Sequence, residues 1–101
     1  MACRLLVMYV MPRDGGTVRI GISASKKVGN SIIRHRCTRL LRECFRKYLP
    51  KTKEGYDIVV IVRVAAAKEG YVQIDKSYAY LLRKLQMVKK PENEETLFIG
   101  N

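Results

Sequence analysis

The sequence predicts one small α/β domain, a two-layer sandwich in which two helices lie against a small mixed sheet. Three observations predict it. Apolar patterning changes along the chain in the order strand, strand, helix, strand, helix. A length of 101 residues suffices for one core only. Hydrophobic residues make up 48% of the chain, yet no run approaches the roughly 18 to 20 residues of a membrane span.

The first strand is the short apolar run 4-RLLVMYVM-11, closed by 12-PRDGG-16, a stretch of turn-forming residues. The next, 17-TVRIGISAS-25, alternates. Val18, Ile20, Ile22 and Ala24 share one face, and Thr17, Arg19, Gly21, Ser23 and Ser25 the other. The two runs are expected to form a hairpin with one buried side. The small, hydroxyl-bearing outer face either admits another backbone or nucleic-acid strand closely or is an ordinary solvated face.

Gly29 and Asn30 break the pattern, and Asn30 or Ser31 can cap a helix that runs to about Tyr48 and stops before Pro50. Beyond 50-PKTKEG-55, the β-branched run 56-YDIVVIVRV-64 is apolar on both faces, as a central strand would be. A last helix is expected over about Ile74 to Lys89, with Ile74, Tyr78, Leu81, Leu82, Leu85 and Val88 at helical spacing. The domain therefore takes in residues 1–90, and the acidic tail 91–101 is expected to be loosely held.

Charge narrows the function. Twenty Lys and Arg against nine acids give a net charge of +11, which suits a polyanionic partner, nucleic acid first. No helix joins a basic face to a free bulky aromatic one, so membrane is not expected as a partner. The amino end lacks the succession of a secretory signal, which points to the cytoplasm. Cys3, Cys37 and Cys44 form an odd set without a C-x-x-C pair, and they read as reduced thiols rather than disulfides or zinc ligands.

The charge concentrates on the first helix. Ile33, Cys37, Leu40, Leu41, Cys44 and Tyr48 gather on one arc as a core face, so these cysteines are packing residues. Opposite them His35, Arg39, Arg42 and Arg46 make one line at spacings of four, three and four, with Arg36 beside it. Like charges so spaced weaken a helix, and Arg34 and Arg36 stand near the positive end of its dipole, with Lys26 and Lys27 just ahead. Phosphates set against Arg forks and free N–H groups remove the conflict, so the stripe reads as a phosphate-backbone site. Arg suits structured RNA better than Lys, because its planar fork grips phosphate and stacks on bases. A solvated face offset by Glu43 pairing with Arg39 or Lys47 is the alternative.

No catalytic constellation or metal site is visible. His35 is the only histidine, and Asp14, Asp57 and Asp75 fall where turns and caps account for them.

The stretch 21-GISASKKVGNSIIRHRCTRLLRECFR-46 resembles the signature of the bacterial ribonuclease P protein subunit, and the likeness continues through 57-DIVVIVR-63 to about residue 90. The resemblance implies a sheet with a left-handed βαβ crossover, of the type in the second domain of ribosomal protein S5, where pattern alone would favour the right hand. It implies a protein with no catalytic residues of its own that binds a catalytic RNA and helps it remove the 5′ leader of precursor tRNA. Mg2+ is then expected in the ribonucleoprotein, with no cofactor in the protein itself. Carried over by position, Lys26, Lys27, Asn30, Arg34, Arg36, Arg39 and Arg42 match the RNA-contacting motif. Tyr9 matches an aromatic position lining the leader-binding cleft, and Ser23 and Ser25 flank it.

Three departures stand out. His35 replaces the usual asparagine with an imidazole that can donate, accept or carry charge, so binding is expected to weaken as pH rises through the histidine range. Thr38 stands where lysine is common. The family has an amino-terminal segment with a short helix before the first strand, whereas here the strand begins by about Arg4, so that segment is expected to be missing. Oligomeric state is left open. A structural RNA-binding protein of ribosomal type and a self-sufficient nuclease are the rival functions, the latter needing gathered carboxylates.

Overall fold

A computed structural model describes residues 1–89, so the expected loose tail 91–101 lies outside the described residues. Strand β1 is Leu6–Pro12, β2 Val18–Ser23 and β3 Tyr56–Val62; helix α1 is Ser31–Tyr48 and α2 Tyr71–Lys84. Short 3₁₀ turns follow α1 at Leu49–Lys51 and β3 at Val64–Lys68.

The strands form one mixed sheet in the order β1-β3-β2, with β3 antiparallel to β1 and parallel to β2. β2, α1 and β3 thus make the expected βαβ crossover. The expected hairpin does not form, because β3 enters between β1 and β2. Alternation assigns a residue to a face but does not name a strand's neighbour. The most apolar strand takes the position with two paired edges, and residues 13–17 cross its width, roughly 10 Å. Gly55 fixes that crossing: its carbonyl accepts from Arg13 N at 2.9 Å and its N–H donates to the Thr17 carbonyl at 3.1 Å. Its φ of 82° is one that a side chain disfavours.

Register divides the sheet into two faces. Leu6, Met8, Ile58, Val60 and Val62 point to one side and are buried with Cys37, Leu41 and Cys44 of α1 and Ile74, Tyr78, Leu81 and Leu82 of α2. Both helices therefore cover this face. On the other, Tyr9 is 51% exposed, Met11 49% and Ile61 37%. β3 is central, as its composition predicts, but it is closed on one face only, and it ends at Val62 rather than at residue 64.

α1 matches its sequence signals closely. The Asn30 side chain accepts from Ile33 N at 3.0 Å, and the helix runs to Tyr48, where Pro50 follows. Gly29 makes the entry tight, since a Cβ there would come within 2.9 Å of Ile33. α2 begins three residues before the predicted start and ends five before the predicted stop. Its end is a Schellman motif: Gln86 adopts φ 56°, Met87 N donates to Leu82 O at 2.9 Å and Gln86 N to Arg83 O at 3.0 Å. The signal was hidden because glutamine stands where glycine is usual. Met87 is buried, and the chain then returns beside residues 51–53, with Lys53 N donating to Met87 O at 2.7 Å.

Candidate nucleic-acid interface

α1 is held on its inner side and free on its outer one. Cys37, Leu41 and Cys44 are fully buried, while His35, Arg39, Arg42 and Arg46 are exposed along the opposite side. The outer side chains line a groove of about 610 Å3 shared with Ile32, Arg36 and Thr38. Ile32 is 77% exposed, so an apolar surface lies among the guanidinium groups, suited to a ribose or base edge.

The charges there are unopposed. Among the described residues no ion pair involves Lys26, Lys27, Arg34, Arg39, Arg42 or Arg46. The alternative, an offset by Glu43 pairing with Arg39 or Lys47, is not made among the described residues. Lys47 turns to Asp75 instead, 3.3 Å from both carboxylate oxygens, and Tyr48 donates to the same group at 3.1 Å. No acid occupies the first turn of α1, so its dipole end also lacks a counter-charge.

Three motif residues have structural duties as well. Asn30 commits its side-chain oxygen to the helix cap. Arg36 donates to the Ala67 carbonyl at 2.5 Å and ties α1 to the turn after β3. Arg34 lies against β2 in a concavity of about 250 Å3 lined by Ile22, Ala24, Ser31, His35 and Thr38, and its Nε is buried without a partner among the described residues. A buried unpaired N–H is costly, and an acceptor entering this concavity would satisfy it. The two motif departures, His35 and Thr38, thus line the concavity that holds Arg34. Lys26 and Lys27 occupy an exposed turn closed by Val28 N donating to Ser25 O at 3.0 Å.

The turn joins the helix to the open sheet face. Register sets out three cross-sheet rows there: Val7–Ile61–Ser23, Tyr9–Val59–Gly21 and Met11–Asp57–Arg19. Tyr9 and Ser23 share this face as expected, and exposed Ser25 follows just beyond β2. Sequence reasoning did not place Val7, Met11 and Ile61 here, because β1 reads as a continuous apolar run until its partner is known.

It also missed the ion-pair centres. Asp57 accepts from Arg19 Nε at 3.0 Å and Nη2 at 3.1 Å, with Arg13 Nε at 3.4 Å, and Asp75 joins α1 to α2. Neither is the cap or turn residue expected. The hydrogen bonds from Arg19 hold the Asp57 carboxyl below its ordinary range despite partial desolvation. Burial, reinforced by Asp75, pushes the Cys44 thiol up to about 12, as suits a packing residue.

Among the described residues no group of three or more His, Cys, Asp or Glu side chains is gathered as a metal site requires, and no helix is long and apolar enough to cross a membrane.

Comparison with known proteins points one way. The family model described as Ribonuclease P matches residues 1–86. The ribonuclease P protein component of Alkaliphilus oremlandii is 38% identical over 88 residues, 87% of this chain and 77% of that protein. That of Clostridioides difficile is 42% identical over 84 residues, covering 82% and 74%. The RNase P protein of Staphylococcus aureus superposes with a TM-score of 0.82 at 31% identity, over 88% of this chain and 82% of that one. The protein from Thermotoga maritima shares the fold, with a TM-score of 0.77 at 24% identity over 83% and 80%.

Proposed function

The chain belongs to the ribonuclease P protein family and serves in tRNA 5′-end processing; on that premise we propose that it acts as an RNA-positioning subunit whose two open surfaces hold two RNA elements. The line of unopposed cations on α1 takes phosphates of the catalytic RNA. The open sheet face takes the unpaired leader of precursor tRNA. The observation that carries this reading is the pairing pattern: among the described residues Arg39, Arg42 and Arg46 of α1 have no carboxylate partner, while Lys47 on the same helix is paired.

Each surface suits its ligand. Unopposed guanidinium groups and a helix N-terminus with no acid in its first turn gain charge-assisted hydrogen bonds from phosphate. Arg34, with its unpartnered Nε, is oriented by packing against β2 and supplies a fixed donor beside the hydroxyl groups of Ser31 and Thr38. On the sheet face Tyr9 offers a ring for one base, and Gly21 and Ser23 allow close approach of the sugar–phosphate chain. The protein lowers the entropic cost of bringing leader and catalytic RNA together, and bond cleavage is assigned to the RNA.

Mg2+ in such a complex would sit on RNA, whose phosphates offer the oxygen ligands it prefers. A cytoplasmic location follows from the same assignment. The relatives named above give no support to a purely structural, ribosomal-type role.

Cleavage of precursor tRNA by the chain alone, by the RNA alone and by both tests the proposal. At low Mg2+ and moderate salt the pair should cleave efficiently and the chain alone not at all. Cleavage by the chain alone would assign the chemistry to the protein.

A further inference from the structure

One group on the open sheet face differs from the other exposed arginines. Arg19 is gripped by Asp57 through two parallel hydrogen bonds of 3.0 and 3.1 Å, yet its side chain remains 65% exposed. Arg13 approaches the same carboxylate at 3.4 Å and also donates to Thr17 Oγ1 at 2.5 Å. The fork occupies the Nε and Nη2 donors, and the carboxylate would repel a phosphate brought to that edge. Arg19 is thus poorly disposed to grip phosphate, unlike the arginines of α1. Its flat faces are what it has to offer, held in one orientation by Asp57.

Resting on the reading of this face as the leader track, we propose that Arg19 is a second base-stacking platform, which receives an unpaired nucleobase of the leader beyond the one received by Tyr9. Tyr9 lies in the row next to Arg19, on the opposite edge strand. Two strand spacings and one side-chain repeat put the two positions roughly 12 Å apart. That exceeds the roughly 3.4 Å of one stacked base step several-fold, so the track takes splayed, non-adjacent bases. Gly21, next to Arg19 along this face of β2 and in the row of Tyr9, has nothing within 4 Å of the position a Cβ would take, which leaves room for the backbone joining the two bases. Asp57 is the positioning residue: its carboxylate fixes the guanidinium plane and cancels its charge, so the platform favours the neutral face of a base.

Binding to the complex of the chain with its catalytic RNA tests this, using precursor tRNA and leaderless tRNA across a salt series. Arg19→Lys keeps the charge and loses the plane, and Arg19→Gln loses both. An exposed ion pair adds little to stability, so both variants fold. Each should weaken precursor binding about 5- to 150-fold, the range of one base stack. Neither should change the salt slope or the affinity for leaderless tRNA. Full affinity in Arg19→Lys would overturn the proposal, because charge alone would then suffice. So would a salt slope shallower by about 0.7 in Arg19→Gln, the mark of a single-strand phosphate contact. Equal losses with and without a leader would reduce Arg19 to a support of the sheet. Tyr9→Ala separates the two levels of inference: if it leaves precursor binding intact, the leader track itself fails, and if it alone weakens binding, only the role of Arg19 fails.

Discussion

Among the described residues Arg39, Arg42 and Arg46 each expose a guanidinium group without a carboxylate partner, so each is a separable contact rather than part of a salt-bridge network. Replacing any one with Ala should make the slope of log K against log salt shallower by about 0.7 to 0.9, with little change in thermal stability. Binding isotherms over a salt series check both. Cys44 gives a prediction of the opposite kind. Its thiol, ordinarily near 9.0 and pushed to about 12 by burial, carries about a thousandfold less thiolate at neutral pH than in the unfolded chain. Alkylation of Cys44, followed by mass spectrometry, should be negligible in the native protein and fast in denaturant. The inward cysteines and outward arginines were legible in the sequence, because helical spacing alone sorts them. Asp57 and Asp75 were not, because their partners lie 38 and 28 residues away. Which cation reaches a carboxylate depends on strand order and helix packing.

At the scale of elements, ends decide more than interiors. The cap of α1 could be read from Asn30 because a side-chain oxygen three residues before Ile33 N is a local signal. The stop of α2 could not, since its apolar spacing continues through Leu85 and Val88 while the backbone turns at Gln86. Gln86→Gly should therefore stabilise the fold by roughly 0.5 to 1 kcal/mol, as the left-handed conformation no longer penalises a Cβ. For a domain of this size that is a rise in Tm of about 2 to 8 °C, readable by circular dichroism. A fall would mean that the Gln86 side chain holds the turn. The misread hairpin has a related cause. Alternation in β2 gave its faces correctly, and only the competition of three strands for two paired edges put β3 between β1 and β2.

For the whole molecule, net charge and acid response go together. The Asp57 carboxyl is held below its ordinary range in the folded chain. Its pairing therefore favours folding at pH values above the ordinary carboxylate range, and that contribution is lost as pH falls through the lowered folded value. Thermal unfolding from about pH 5 to 2 should show a shallower acid limb in Asp57→Asn than in the native sequence, and identical limbs would deny Asp57 any part in acid unfolding.

The functional role of α1 depends on a basic face loaded for RNA phosphate rather than merely solvated. Its most direct test is the affinity of the chain for its catalytic RNA between 50 and 200 mM salt. If six to ten phosphates are neutralised, affinity should fall by roughly 10³- to 10⁵-fold over that range. A nearly flat dependence would contradict the assignment of α1 as the RNA-binding surface.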